Sequence, residues 1–145
     1  MDHSFENLGP DRFQQMVQAL LVSTNPRTVC LPIGQPDGGR DALQPTGSEV
    51  GKDEFIVFQV KFSRHPSSVR NLTEWLTEKT DGEREKIERL KARGAKEYFL
   101  ITNVPGTAHL DSGSIDKTLC ALRNEIGIPI HCWFRDDLNR LLDGV

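Results

Sequence analysis

The chain has 145 residues, the size of one ordinary domain. Of these, 37% are hydrophobic and 27% charged, a balance that supports a folded core and excludes a disordered chain. Acidic residues outnumber basic residues by 21 to 18, so the formal net charge is −3, which excludes binding of nucleic acid through a general excess of positive charge.

The first predicted element is an amphipathic helix that begins at Gly9-Pro10-Asp11 and is stopped by Asn25-Pro26. Its apolar side chains recur at helical spacing and form one stripe: Phe13, Met16, Val17, Leu20 and Leu21. Residues 28–33 are β-rich and predict a short strand. Residues 34–53 are rich in glycine and proline and predict a turn and a loose hairpin loop.

Residues 54–62 predict the clearest strand of the chain. Its first part is apolar on both faces, as expected of a central strand that is covered on both sides. Pro66 opens a helical stretch, and Thr80 followed by Glu83 fits a capping box. We therefore expect a second helix to restart there and to end at Gly94.

The last third of the chain alternates strands and helices. Residues 97–102 predict a buried strand, residues 115–126 a helix stopped by Gly127, and residues 128–134 a last strand. Asp136 or Asp137 can cap a short C-terminal helix that runs through Leu142. The predicted order, α-β-β-α(α)-β-α-β-α, is that of an α/β domain with a mixed central sheet flanked by helices.

Cys30, Cys120 and Cys132 are predicted to be core thiols. They form no CxxC pair, are odd in number and each lie in an apolar run, which is typical of free cysteines in a reducing compartment. Residues 1–6 lack the pattern of a signal peptide, and no apolar run approaches the roughly 18 residues of a membrane span. We therefore expect a cytoplasmic protein that does not enter a membrane.

Gln59 and Lys61 are the first candidates for a functional site. They stand two apart on the predicted central strand, so their side chains point to the same face near the strand's end. A lysine there must reach a cleft or a counter-charge, because an unpaired buried charge is costly. The upstream candidate for its anionic partner is Asp41, which follows two glycines that allow a tight turn toward the sheet edge.

These groups predict a phosphodiesterase site with a divalent cation. Asp41 would supply a carboxylate, Gln59 an amide oxygen and Val60 its backbone carbonyl. These are the oxygen ligands that Mg²⁺ prefers, and Mn²⁺ is the alternative ion. Lys61 would hold or activate the attacking water and steady the scissile phosphate.

Arg64, His65 and Arg70 follow this strand and are candidates for contacts to DNA phosphates. A solvated basic surface at a helix start explains them equally well. Ordinary structural roles also remain open for the central residues: a turn-capping acid, a strand glutamine bonded to a backbone group and a lysine that reaches water.

The sequence resembles the PD-(D/E)xK nuclease superfamily, in the Mrr-like branch of restriction endonucleases where glutamine replaces the middle acid. The matching features are Asp41 with Gln59-Val60-Lys61, the leading helix at 13–21, the Asp-Gly-Gly-Arg-Asp turn at 37–41 and the strand at 98–103. The resemblance implies a restriction-endonuclease-like three-layer fold. It also implies Mg²⁺-dependent endonucleolytic cleavage of double-stranded DNA, in which Asp41, Gln59 and Lys61 are catalytic.

The arrangement also resembles the nuclease effector domains at the N-terminus of large STAND-type NTPases in prokaryotic antiviral defence. This resemblance implies that residues 1–145 form a single nuclease domain, the N-terminal part of a longer protein. Its C-terminal NTPase and sensor domains would then drive oligomerisation. Because both DNA strands are cut, the active state would be a homo-oligomer, a dimer or a tetramer.

One departure from the family concerns Gln14, which stands where members of this branch often carry a glutamate that supports the metal. Either Glu6 or another acid takes that role, or the site works with one carboxylate. The rival interpretation is a catalytically inactive relative that serves as a DNA-binding or oligomerisation module. A Rossmann-like nucleotide sensor is disfavoured, because Gly38-Gly39 is followed by a polar loop and another strand.

Overall fold

The computed structural model describes residues 3–33, 40–46, 53–106 and 115–144. Two short 3₁₀ turns, Phe5–Leu8 and Pro66–Ser68, accompany four helices and five strands in these ranges. The helices are α1 (Gly9–Thr24), α2 (Leu72–Ala92), α3 (Ile115–Ile126) and α4 (Arg135–Asp143). The strands are β1 (Val29–Cys30), β2 (Ala42–Pro45), β3 (Phe55–Lys61), β4 (Ala95–Thr102) and β5 (Ile130–Trp133).

The five strands form one mixed sheet in the order β1-β2-β3-β4-β5. β1, β2 and β3 pair antiparallel, whereas β3, β4 and β5 pair parallel. β3 is therefore the middle strand and the point at which the direction of pairing changes. The predicted α/β class, with a mixed sheet and β3 at its centre, is confirmed.

Helices cover both faces of the sheet. On one face, α1 and Leu138 of α4 pack with Phe58 and Ile101. On the other face, α2 and α3 pack with Val57 and Leu100. Because neighbouring residues of a strand point to opposite faces, the continuous apolar run of β3 fills both cores, as its sequence predicted.

The segment at 34–53, predicted to be a turn and loose hairpin loop, contains a strand. β2 pairs with β3 over four positions, from Ala42 opposite Phe58 to Pro45 opposite Phe55. Ala-Leu-Gln-Pro has little strand character of its own, so pairing with β3 determines its conformation. The strand predicted at 28–33 is in turn reduced to the two residues of β1.

The predicted restart of a helix at Thr80 is wrong, because α2 is continuous from Leu72 to Ala92. The Thr80 hydroxyl donates back to the carbonyl of Leu76 at 2.8 Å instead of capping a new helix. The N-cap is Asn71, whose side chain accepts from the amide of Glu74. The predicted end is confirmed: Gly94, with φ of 117°, follows the C-cap of α2.

The prediction of three core thiols is wrong for two of them. Cys30 and Cys120 are exposed, and only Cys132 is partly buried against the core. Burial raises the pKa of the Cys132 thiol. Within the described ranges, no helix is both long enough and apolar enough to cross a membrane.

Candidate functional site

Asp41 lies where the pairing of β2 with β3 ends. The last pair is Ala42 opposite Phe58, and the backbone amide of Asp41 donates to the carbonyl of Phe58 at 2.8 Å. Two residues beyond Phe58 on β3, the backbone amide of Val60 donates to Oδ2 of Asp41 at 2.6 Å. Beyond the last residue pair with β2, the Asp41 carboxylate therefore accepts the hydrogen bond that a strand partner would accept from β3.

Two glutamine side chains also donate to this carboxylate. Gln14 donates to Oδ1 at 2.7 Å, and Gln59 donates to Oδ2 at 3.2 Å. Asp41 is only 5% exposed, and a carboxylate buried to this degree requires such donors. Gln14 belongs to α1 and Gln59 to β3, so the carboxylate is held by both the helix and the sheet.

Helix α1 also fixes the backbone at this point. The Gln18 side chain donates to the carbonyls of Leu31, at 2.9 Å, and Asp41, at 3.1 Å. Gln14 and Gln18 are four residues apart and therefore share one helix face. This face of α1 holds both the main chain and the side chain of Asp41.

The Gln59 side chain has an acceptor that the fold leaves without a partner. Gln59 is 8% exposed, and its Oε1 is buried without a hydrogen bond from any described residue. A buried acceptor of this kind costs about 1–3 kcal/mol when nothing binds it. It marks a place for a water, an ion or a ligand group beside Asp41.

Lys61 points to the same face of β3 as Gln59, as the spacing predicted. The counter-charge that we expected from Asp41 comes from Glu83, because Nζ of Lys61 lies 2.5 Å from Oε1 of Glu83. Lys61 is thus ion-paired and does not simply reach into water, although 26% of its side chain remains exposed. The structure brings Asp41, Gln59 and Val60 into contact. Lys61 lies two residues beyond Gln59 on β3 and pairs there with Glu83 of α2.

Glu83 is the residue that sequence reasoning missed. The capping-box interpretation placed it in the first turn of a new helix, whereas it is 7% exposed in the middle of α2. A signal was present in the sequence, because Glu83 occupies a core position of the helical stripe. That buried stripe comprises Leu76, Thr80, Glu83, Ile87 and Leu90.

The segment after β3 is anchored to β4 by Asn103, which is fully buried. Its Oδ1 accepts from the amide of Ser63, and its Nδ2 donates to the carbonyl of Ser63, both at 2.8 Å. The next residue is Arg64. Arg64, His65 and Arg70 are all exposed, so the three candidates for phosphate contact follow a fixed anchor at the end of the central strand.

The donor set of the site is rich in oxygen but poor in charge. Among the described residues, no group of three or more His, Cys, Asp and Glu side chains could hold a metal ion. A cation here would depend on one carboxylate with neutral amide and carbonyl oxygens. Residues 37–39, the Asp-Gly-Gly part of the turn before Arg40, lie outside the described residues.

Comparison with protein-family models, with curated proteins and with solved structures gives no match to this chain.

Proposed function

We propose that this chain is a metal-dependent nuclease domain that hydrolyses phosphodiester bonds of double-stranded DNA. The observation that carries the proposal is the buried cluster at the end of β3. There, the Asp41 carboxylate contacts the Gln59 amide and the Val60 peptide, and Gln59 keeps an unsatisfied oxygen beside it. The Lys61 ammonium follows on the same face of the strand.

The arrangement of the fold supports this assignment. A helix and an antiparallel meander of three strands are followed by a helix, a parallel strand, a helix, a second parallel strand and a short helix. A mixed sheet flanked by helices is compatible with the restriction-endonuclease-like fold that the sequence resemblance implies. The cluster lies at the end of β3, the strand that pairs antiparallel with β2 and parallel with β4. An acid and a lysine at this place can act on one substrate.

The residues present fit a hard divalent cation, Mg²⁺ or Mn²⁺. Asp41, the orphaned oxygen of Gln59 and the backbone carbonyl of Val60 are all oxygen donors, and Mg²⁺ keeps several waters when protein ligands are few. When bound, the cation lowers the pKa of a water and offsets negative charge on phosphate. Gln14 and Gln18 hold Asp41 in place for this role.

Lys61 acts on the substrate. An ammonium carries three N–H donors and no acceptor, and one of them faces Glu83. The others can bind a phosphate oxygen or orient a water near the scissile bond, where charge develops during hydrolysis. Arg64, His65 and Arg70 would contact phosphates further along the duplex.

The biological setting proposed from the sequence resemblance is prokaryotic antiviral defence. The domain would act as the effector of a longer protein whose C-terminal NTPase and sensor domains bring several copies together. Two domains in a homo-oligomer would then cut the two strands. The isolated domain, with its net charge of −3, would bind DNA weakly and cut poorly until it is clustered.

A second candidate function, an inactive DNA-binding or oligomerisation module, is favoured by the low charge of the site. Gln14, Gln59 and the Val60 amide each reach the Asp41 carboxylate through a neutral N–H, and Gln14 stands where an acid would strengthen a metal site. The two functions differ in one observable: only the nuclease requires a divalent cation to break DNA.

Plasmid degradation by the chain at high protein concentration tests the proposal. We expect cleavage with Mg²⁺ or Mn²⁺ and none with EDTA, and a loss of about a hundredfold or more in Asp41→Ala and in Lys61→Ala. Asp11→Ala and Lys96→Ala are matched controls, because both residues are exposed and lie on other elements. DNA that stays intact with wild-type protein, including in the oligomeric longer protein, would establish the inactive module instead.

A further inference from the structure

Glu83 is a carboxylate placed in the core-facing stripe of a helix. Its neighbours in that stripe are Thr80 and Ile87, and its side chain is almost fully removed from water. Oε1 lies 2.5 Å from Nζ of Lys61. Oε2 is buried, makes no hydrogen bond with a described residue and has Nζ of Lys86 at 3.6 Å.

Stability alone does not account for a charge at this position. A buried ion pair contributes little compared with well-packed apolar side chains, because both ions lose their hydration. An apolar residue would continue the stripe formed by Leu76 and Ile87. The carboxylate does something that an apolar side chain could not, which is to fix the position of one ammonium group.

That ammonium belongs to the strand that carries the candidate site. Lys61 is two residues beyond Gln59 on the same face of β3, and Gln59 contacts Asp41. An unpaired lysine side chain has several rotatable bonds, and its ammonium stays hydrated in many positions. Pairing with a side chain from a rigid helix restricts Lys61 to the end of β3, and its 26% exposure leaves its remaining N–H groups accessible.

We propose that Glu83 is a positioning residue that holds the Lys61 ammonium where its remaining N–H groups can donate to a phosphate. The inference rests on the proposed function and deepens it. α2 thereby becomes part of the site, although no residue of α2 belongs to the motif on β3. Lys86 lies near the second oxygen of Glu83, so the first oxygen can keep its contact with Lys61 while a phosphate binds the other N–H groups of the ammonium.

The test compares cleavage rates of Glu83→Gln and Glu83→Asp with that of the wild type. Gln keeps the size and an acceptor oxygen but removes the charge, whereas Asp keeps the charge with a shorter reach. Glu88→Gln is the matched control, since Glu88 is an exposed glutamate on the same helix. Single-turnover rates, the Mg²⁺ concentration for half-maximal rate, the Kd for DNA and the unfolding midpoint are measured for each variant.

We expect Glu83→Gln to lower the rate about tenfold to hundredfold, with an unchanged half-maximal Mg²⁺ concentration and an unchanged Kd for DNA. Glu83→Asp should recover part of the loss, and Glu88→Gln should match wild type. A purely structural role would move the midpoint and would not leave a folded variant with a slower chemical step. If Glu83→Gln is unfolded at the assay temperature, Glu83→Asp is judged by the same criteria.

Three results would overturn the inference. Equal rates for wild type and a folded Glu83→Gln would show that the pair has no part in the reaction. A loss that higher Mg²⁺ restores would make Glu83 a metal ligand. Wild-type protein that does not cut DNA at all would remove the proposed function and this inference together, which distinguishes it from the first two results, where cleavage itself persists.

Discussion

At the scale of single residues, the site depends on amides where acids could stand. Gln14 and Gln59 both donate to Asp41, and neither amide places a like charge beside the carboxylate. Affinity for a hard cation rises with the number of charged ligands. With one carboxylate among the described residues, the proposed site would therefore bind a divalent cation weakly.

Gln14→Glu should reverse this balance. The substitution removes the donor to Oδ1 of Asp41, 2.7 Å away, and brings a second carboxylate to the buried site. Without metal, the free energy of unfolding should fall by roughly 1–3 kcal/mol, whereas Mg²⁺ should raise the unfolding midpoint more than in wild type, because ligands that bind the folded state stabilise it.

Thermal unfolding in EDTA and in Mg²⁺ checks this expectation. Gln15→Glu is the control, since Gln15 is the exposed neighbour on α1 and adds the same charge away from Asp41. An equal Mg²⁺ shift in wild type and Gln14→Glu would mean that no cation binds beside Asp41.

At the scale of secondary-structure elements, each side of the site is supplied by a different element. α1 holds Asp41 through Gln14 and Gln18, β3 carries Gln59 and Lys61, and α2 contributes Glu83. Glu83 lies in the middle of α2, so its position beside Lys61 depends on α2 being one continuous helix. Its integrity and its end at Gly94 therefore affect the site directly.

Alanine substitutions of two glycines, Gly82 in α2 and Gly94 in the turn that follows α2, should change the free energy of unfolding in opposite directions. Gly82 is inside the helix with open space where a Cβ would be, so Gly82→Ala should raise the free energy of unfolding by about 0.5–1 kcal/mol. Gly94 has φ of 117°, and a Cβ there would collide with the backbone oxygen of Asp53. Gly94→Ala should lower the free energy of unfolding by roughly 1–3 kcal/mol.

Urea unfolding of the two variants measures both effects, and each serves as the control for the other. If Gly82→Ala were destabilising, α2 would be interrupted near Gly82, as the capping-box interpretation held. If Gly94→Ala were neutral, the turn that leads into β4 would not have the strained geometry described above.

At the scale of the whole molecule, the charge distribution decides how DNA could bind. The net charge of −3 opposes a polyanion, so binding must come from a local group of cations. The exposed Arg64 and Arg70 lie on the segment after β3, close in sequence to Lys61 and anchored through Asn103. Oligomerisation would multiply these small positive surfaces without changing the charge of each copy.

The salt dependence of DNA binding should reveal this group. Arg64→Ala and Arg70→Ala should each reduce the slope of log K against log salt by about one, uniformly across DNA sequences. Arg27→Ala is the control, because Arg27 is exposed and precedes β1. Val29 of β1 is level with Val57 in the middle of β3, and β1 runs in the same direction as β3, so Arg27 lies toward the beginning of β3 and away from its end. Titrations of the chain with duplex DNA at several salt concentrations give the slopes, and identical slopes for all three variants would contradict the assignment.

Local periodicity was sufficient for much of this protein. α1, β3, β4, α3 and β5 coincide with predicted elements, because burial at helical or alternating spacing can be recognised within a few turns or residues of chain. The same alternation placed Gln59 and Lys61 on one face of the central strand. Asp41 and Gln59, which the motif placed in one site, lie in hydrogen-bond contact, and their role as metal ligands stays a prediction.

Contacts between distant parts of the chain decided the rest. β2 is a strand because β3 pairs with it, Glu83 is buried because α2 lies across the end of β3, and Gln14 reaches Asp41 because α1 packs on the opposite face. None of these depends on the local sequence alone. The sequence determined which side chains could form a site, whereas the packing of helices on the sheet decided which of them meet and which charge faces Lys61, since a side chain's partners are set by the elements that pack around it.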